Sequence, residues 1–328
     1  MAEGTNGVMG DRAATARGRL PGPPPLRVPV FPGGPVLIRC TAPDALPNLV
    51  AVLELAAEGR LRCAAATRRP LAATVRLVGD ALVAGDYYGG PEGDPDDGGE
   101  PIAAFAWPML LRAGGLARLA GSTLELTPRG QAALARPSYG CVGDLWDRWR
   151  ASVSHDEFAR VEAIGGQRKT ATLTPAVSRR AAVTAGLAAL EPGVWTDVDA
   201  FFAILRTQPA PLAVTTGPLA RWRLYLEDPR HGSLGPAGWR AWDIVEGRYA
   251  LCVLFEYAAT LGVVDVAYAG PRGARADYRG LWGADGRDSL SRYDGLAAIR
   301  VSELGAAILH DPGTLDALRL PQPRHVSR

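Results

Sequence analysis

Side chains able to do acid, base, nucleophilic or metal chemistry are few in this sequence and poorly spaced for it. The four histidines are His155, His231, His310 and His325, and none has a second His or Cys at metal-ligand spacing. The four cysteines, Cys40, Cys63, Cys141 and Cys252, lie far apart, form no C-x-x-C pair and sit among apolar neighbours, as small hydrophobic residues do. They read as reduced thiols in a cytoplasm. His155-Asp156-Glu157 reads as the acidic start of a helix, with Ser154 as its cap. No G-x-S-x-G, Walker or dinucleotide pattern follows a strand. Glu92, Asp94, Asp96 and Asp97 lie in a Gly/Pro-rich stretch that lacks the ligand spacing of a calcium loop, so residues 89–99 read as a solvated, mobile loop. The expectation is a protein with no catalytic constellation, no metal and no cofactor.

Arginine is the side chain left to carry a function. Arg60, Arg62, Arg68, Arg69 and Arg76 form one cluster, and Arg168, Lys169, Arg179 and Arg180 a second. A third, Arg272, Arg275, Arg279, Arg287 and Arg292, is interleaved with Tyr278, Trp282 and Tyr293. Basic residues among aromatics hold nucleic acid by phosphate contact and stacking. Against this, Asp277, Asp285, Asp288 and Asp294 offset most of the third cluster, and a formal charge of +2 gives little long-range steering. Any polyanion site is therefore local. Trp146, Trp149 and Trp222 are the aromatic candidates. Trp146 and Trp149 share a helix face and read either as a core seam or as anchors of a partner interface.

The elements that must position these residues are mainly helical. Residues 1–40 are rich in Gly, Pro and Arg and read as a disordered tail without the apolar centre of a secretory signal. No run reaches the roughly 18 apolar residues of a membrane span. Asp44 is positioned to cap a helix with Leu46, Leu49, Val50, Leu53 and Ala57 on one face. Thr67 and Pro70 start a second, with Leu71, Val75, Val78 and Leu82 as its stripe. Residues 101–112 have no polar face and must be enclosed. Two strands, about 116–119 and 124–126, and a helix over 128–135 follow.

The same order returns in the second half. Helices are expected over 179–190, from the capping box at Thr196-Asp197-Val198-Asp199 onward, and over 248–261, the last exposing Tyr249, Glu256 and Thr260. Strands at 263–268 and 297–301 and a helix from Ser302 complete the copy. At the hairpin exit, residues 124–134 align without gaps on 299–309, Thr127 on Ser302 and Gly130 on Gly305. Duplication explains the match.

Strand, tight turn, strand and then Leu-Thr-Pro-Arg-Gly at 126–130 resembles the wing and following helix of the winged helix-turn-helix superfamily. The likeness covers about residues 43–136 and, less tightly, 179–310, and the chain as a whole resembles uncharacterised actinobacterial proteins of that type. It implies a mainly α fold with small β-hairpins, α+β in class: winged-helix domains at 41–136 and 179–310, a helical connector at 137–178, a wing insertion at 269–294 and a C-terminal tail at 311–328. In that superfamily the third helix reads the major groove, yet here the first third helix has only Arg112, at its end, and the second carries Glu256, which repels phosphate. The expected function is non-enzymatic nucleic-acid binding of a regulatory or accessory kind, with arginines and wings on phosphates. The alternative is an assembly subunit whose winged helices face a protein partner or a second copy. DNA and protein are the candidate partners, and membrane and small-molecule cofactors are not expected.

Overall fold

A computed structural model describes residues 36–88, 101–167, 172–226, 233–235 and 242–320. It is a mixed α/β protein in which helices pack with small antiparallel sheets. The acidic stretch 89–99, Arg168, Lys169, His231 and His325 lie outside the described residues. No helix among the described residues is long and apolar enough to cross a membrane.

The chain enters through β1 (Leu37–Arg39), α1 (Ala42–Ala57), α2 (Ala72–Ala81) and α3 (Ala103–Ala113), then the hairpin β2 (Ala117–Ala120) and β3 (Thr123–Leu126), and α4 (Pro128–Ala135). Apolar residues at helical spacing put Leu49, Val52, Leu53 and Ala56 of α1 in the core. Asp44 is not the cap expected of it: Thr41 precedes the helix, and Asp44 sits in the first turn, 3.4 Å from Arg39. α2 starts at Ala72, two residues after Pro70. α3 is enclosed as its composition requires, with every residue from Ala103 to Leu111 buried.

After α5 (Tyr139–Ala151) and a 3-10 turn at Glu157–Arg160 come β4 (Ile164–Gly165), α6 (Ala176–Ala188), β5 (Trp195–Asp197), α7 (Val198–Thr207), α8 (Pro218–Arg221) and β6 (Tyr225–Leu226). The Asp197 side chain caps α7 by accepting from the amides of Asp199 and Ala200. A buried helix, α9, then joins Asp243–Gly247, Arg248–Cys252 and Val253–Ala258, its outer two segments with π-type hydrogen bonding. Strands β7 (Val264–Tyr268) and β8 (Leu296–Val301) and α10 (Glu303–His310) follow.

Hydrogen bonds repeat between the halves residue for residue. Gly115 and Gly262 lie in the turns that follow α3 and α9, with φ of 71° and 72°, the left-handed conformation that glycine adopts without a Cβ penalty. The Thr127 amide donates to Leu116 O, and the Ser302 amide to Val263 O. Each hydroxyl accepts from the amide three residues on, Gly130 or Gly305, and so caps the last helix. A Cβ on Gly130 would overlap the Leu116 carbonyl, and one on Gly305 the Val263 carbonyl.

Three segments expected to be tails or open loops are folded. Leu37–Arg39, assigned to the disordered tail, forms β1 and pairs antiparallel with β7, giving the sheet order β1-β7-β8-β5. The insertion 269–294 tucks in Tyr278, Leu290, Tyr293 and Asp294. Pro312–Ala317, in the expected C-terminal tail, is a 3-10 turn that packs on α5 and buries Leu315. Buried apolar side chains from both halves form one continuous core.

Candidate functional site

The helices that would face a ligand in each half instead face each other. α3 packs against the last segment of α9, and Tyr249, Glu256 and Thr260, the expected exposed stripe, are all buried. Arg160 fastens the contact. Its Nε lies 3.1 and 3.0 Å from the two Glu256 oxygens, its Nη2 donates to Pro101 O at 3.3 Å, and its guanidinium lies 3.5 Å over the Phe105 ring. The Tyr293 hydroxyl donates to Glu256 as well. Burial alone would lower the Arg160 pKa, but Glu256 together with Tyr293 and Tyr257 raises it well above the usual range.

A second buried carboxylate, Glu157, gathers the connector. It accepts from Trp149 Nε1 at 3.0 Å and from Arg180 Nε at 2.8 Å. His155 Nε2 lies 3.2 Å from it, off the line of a hydrogen bond. Burial pushes the Glu157 carboxyl up, but His155 and Arg180 together hold it at about 2.

These networks consume much of the arginine expected on phosphates. Arg179 and Arg180 are a correction: both are fully buried, Arg179 paired with Asp156 and Arg180 with Glu157. Arg275 pairs with Asp277 and Asp199, and Asp277 and Asp294 also bind the buried Arg248 of α9. Arg69 donates to Ala159 O at 2.9 Å and lies 3.5 Å from Glu162. Trp146 and Trp149 are core, not surface, 5.1 Å apart by ring centroid, while Trp222 is 53 % exposed. Arg272 and Arg279 are exposed and lie on the insertion.

What remains is concentrated at the start of α2. The chain doubles back there through the Cys63–Pro70 bridge. The Thr74 hydroxyl accepts from the Arg62 amide and donates to the Arg62 carbonyl, both at 2.8 Å. Arg62, whose backbone is tied to α2 by Thr74, Arg68 in the loop before the helix and Arg76 one turn into it are all exposed. Arg62 reaches Ser122 Oγ at the hairpin tip, 2.8 Å away, and none of the three has a carboxylate partner among the described residues. No side chain caps α2, and Ala72 and Ala73 leave its first turn open to solvent. Arg68 is held at φ 57°, the one non-glycine residue with positive φ among those described, and the Arg112 guanidinium donates to its carbonyl. The sequence reading singled out Arg68, Arg69 and Arg76; it missed the uncapped amides between them, because a missing cap is visible only once the helix start is fixed at Ala72.

An open helix N-terminus of ten residues presents partial positive charge and free amides, and arginines add bidentate donors. That combination accommodates a phosphate oxygen. No group of His, Cys, Asp and Glu among the described residues could hold a metal ion. No family model matches the chain, and neither a curated protein nor a solved structure matches it.

Proposed function

We propose that this chain is a non-enzymatic tandem winged-helix protein that grips nucleic-acid phosphates at the start of α2 without reading bases. The element order supports the architecture: α1, the bridge residues Arg62 and Cys63, α2, α3 and the β2–β3 hairpin recur as α6, β5, α7, α9 and β7–β8. In such domains the third helix enters the major groove, but α3 and α9 are spent on each other. Phosphate contact is what this arrangement leaves available, and phosphate contact carries no sequence information.

The observation that carries the reading is the uncapped α2 N-terminus with the exposed Arg62, Arg68 and Arg76 in the segments that flank and form its start. Changing these three residues to Ala together tests it. Fluorescence anisotropy on a labelled duplex at low salt is expected to show at least a tenfold loss of affinity with an unchanged circular dichroism spectrum. A triple variant that binds as tightly as the parent defeats the reading.

A second reading, an assembly subunit, draws on Leu219 and Trp222, one turn apart around α8 and 83 % and 53 % exposed. Sedimentation over a concentration series distinguishes it: a mass that stays monomeric throughout removes self-association.

A further inference from the structure

A cleft of about 200 Å³ lies between the two halves, bounded by the loop of Thr67 and Arg69, by α3, by the turn at His155–Arg160, and by Tyr257 of α9. It is small for a drug-sized ligand and of a size for a compact one. Tyr257 is fully buried, yet its hydroxyl has no hydrogen-bond partner. Its ring is fixed between Trp149, stacked at 4.9 Å, and His155, at 5.7 Å, so the hydroxyl cannot turn away to solvent.

Arg112 meets it from α3. Its guanidinium touches the Arg68 carbonyl and lies 3.8 Å from Met109 Sδ, and no carboxylate pairs with it among the described residues. Burial, with Arg68 adding to it, lowers its pKa, against an opposing pull from Cys63 and, more weakly, from the Tyr257 hydroxyl. The acceptors around the cleft are already committed: Asp156 to Arg179, and Glu256, behind it, to Arg160. His155 Nε2 faces the Glu157 carboxylate at 3.2 Å, so the donors left to the cleft are the Tyr257 hydroxyl, which has no hydrogen-bond partner, and the Arg112 N–H groups not used on Arg68 and Met109. An unpaired buried donor is costly unless a ligand completes it.

We propose that this cleft binds a small phosphoryl compound, inorganic phosphate or a phosphate monoester, held by Arg112 and the Tyr257 hydroxyl. A dianion matches a site with an arginine that no carboxylate neutralises, and whose neighbouring carboxylates are already paired, better than a singly charged carboxylate does. The site is distinct from the α2 surface, since neither donor lies on it, although Arg112 also holds the Arg68 carbonyl.

Calorimetry and thermal shift with inorganic phosphate, glycerol phosphate and acetate test it on the full chain. Phosphate or glycerol phosphate is expected to bind and raise the melting temperature, the tighter of the two naming the source, while acetate binds at least tenfold more weakly. Arg112→Met and Tyr257→Phe are each expected to weaken phosphoryl binding about tenfold. Tyr257→Phe removes only a hydroxyl without a partner, so its melting temperature without ligand is expected to equal or exceed the parent's, while the ligand-induced rise is lost. Absence of binding at millimolar phosphate, acetate binding as tightly, or an unchanged ligand response in a folded Tyr257→Phe protein would each overturn the assignment.

Discussion

The Glu256 carboxylate lies 3.0 Å from the Nε of Arg160 with both side chains buried, and this pair sits where α3 and α9 meet. Because the same guanidinium covers Phe105, one residue holds α3 and α9 together. Removing one partner of such a pair leaves an uncompensated buried charge. Arg160→Met is therefore expected to cost about 3–5 kcal/mol in urea unfolding. Adding Glu256→Leu should recover most of that loss, because the apolar pair needs no charge compensation. A double variant as unstable as the single one contradicts this account of the junction.

Glu157 makes stability depend on acid. Its folded pKa, about 2, lies below the ordinary 4.5, so its contribution is complete above about pH 4.5 and is lost as pH falls through about 2. The shift corresponds to about 3 kcal/mol. Glu157→Gln is expected to be less stable than the parent at neutral pH, with Arg180 left facing an amide. The gap should close between about pH 4.5 and pH 2 in denaturant titrations, whereas a gap independent of pH in that window assigns the stability elsewhere.

The two hairpin exits can be tested as copies of one device. Gly130→Ala and Gly305→Ala each push a methyl group into a backbone carbonyl, Leu116 in one half and Val263 in the other. Each is expected to cost about 1–3 kcal/mol in chemical denaturation. One costly and one neutral variant would show that the halves do not use the glycine alike.

What was legible in the sequence was local. Thr127 and Ser302 cap helices three residues ahead of a close-packed glycine, and Asp197 caps α7, because a cap and its target lie within one turn. What was not legible depended on distant partners. Arg180 reads as a surface cation until Glu157, 23 positions away, is folded against it. Arg248 meets Asp277 and Asp294, 29 and 46 positions on, so two acids that seemed to neutralise an exposed insertion belong to the core. β1 finds β7 more than 220 residues later, a pairing that no composition rule over residues 1–40 encodes. At the α2 surface the arginines were legible and the open amides beside them were not.

Arg68 separates stability from function. A left-handed conformation costs a non-glycine residue about 1–2 kcal/mol, part of which glycine returns as unfolded-chain entropy. Arg68→Gly is expected to leave stability equal or raise it by up to about 1 kcal/mol, while duplex affinity falls. A destabilised variant would mean that the arginine side chain, not its backbone, holds the loop.

The central claim is that the chain grips nucleic acid by phosphate alone, and the most direct test is the affinity for two unrelated duplexes measured across a salt series. Three neutralised phosphates predict a fall of about 2.7 log units in affinity per log unit of salt, with the two duplexes bound equally at every concentration. No binding at low salt, or a preference of more than about tenfold for one sequence, would contradict it.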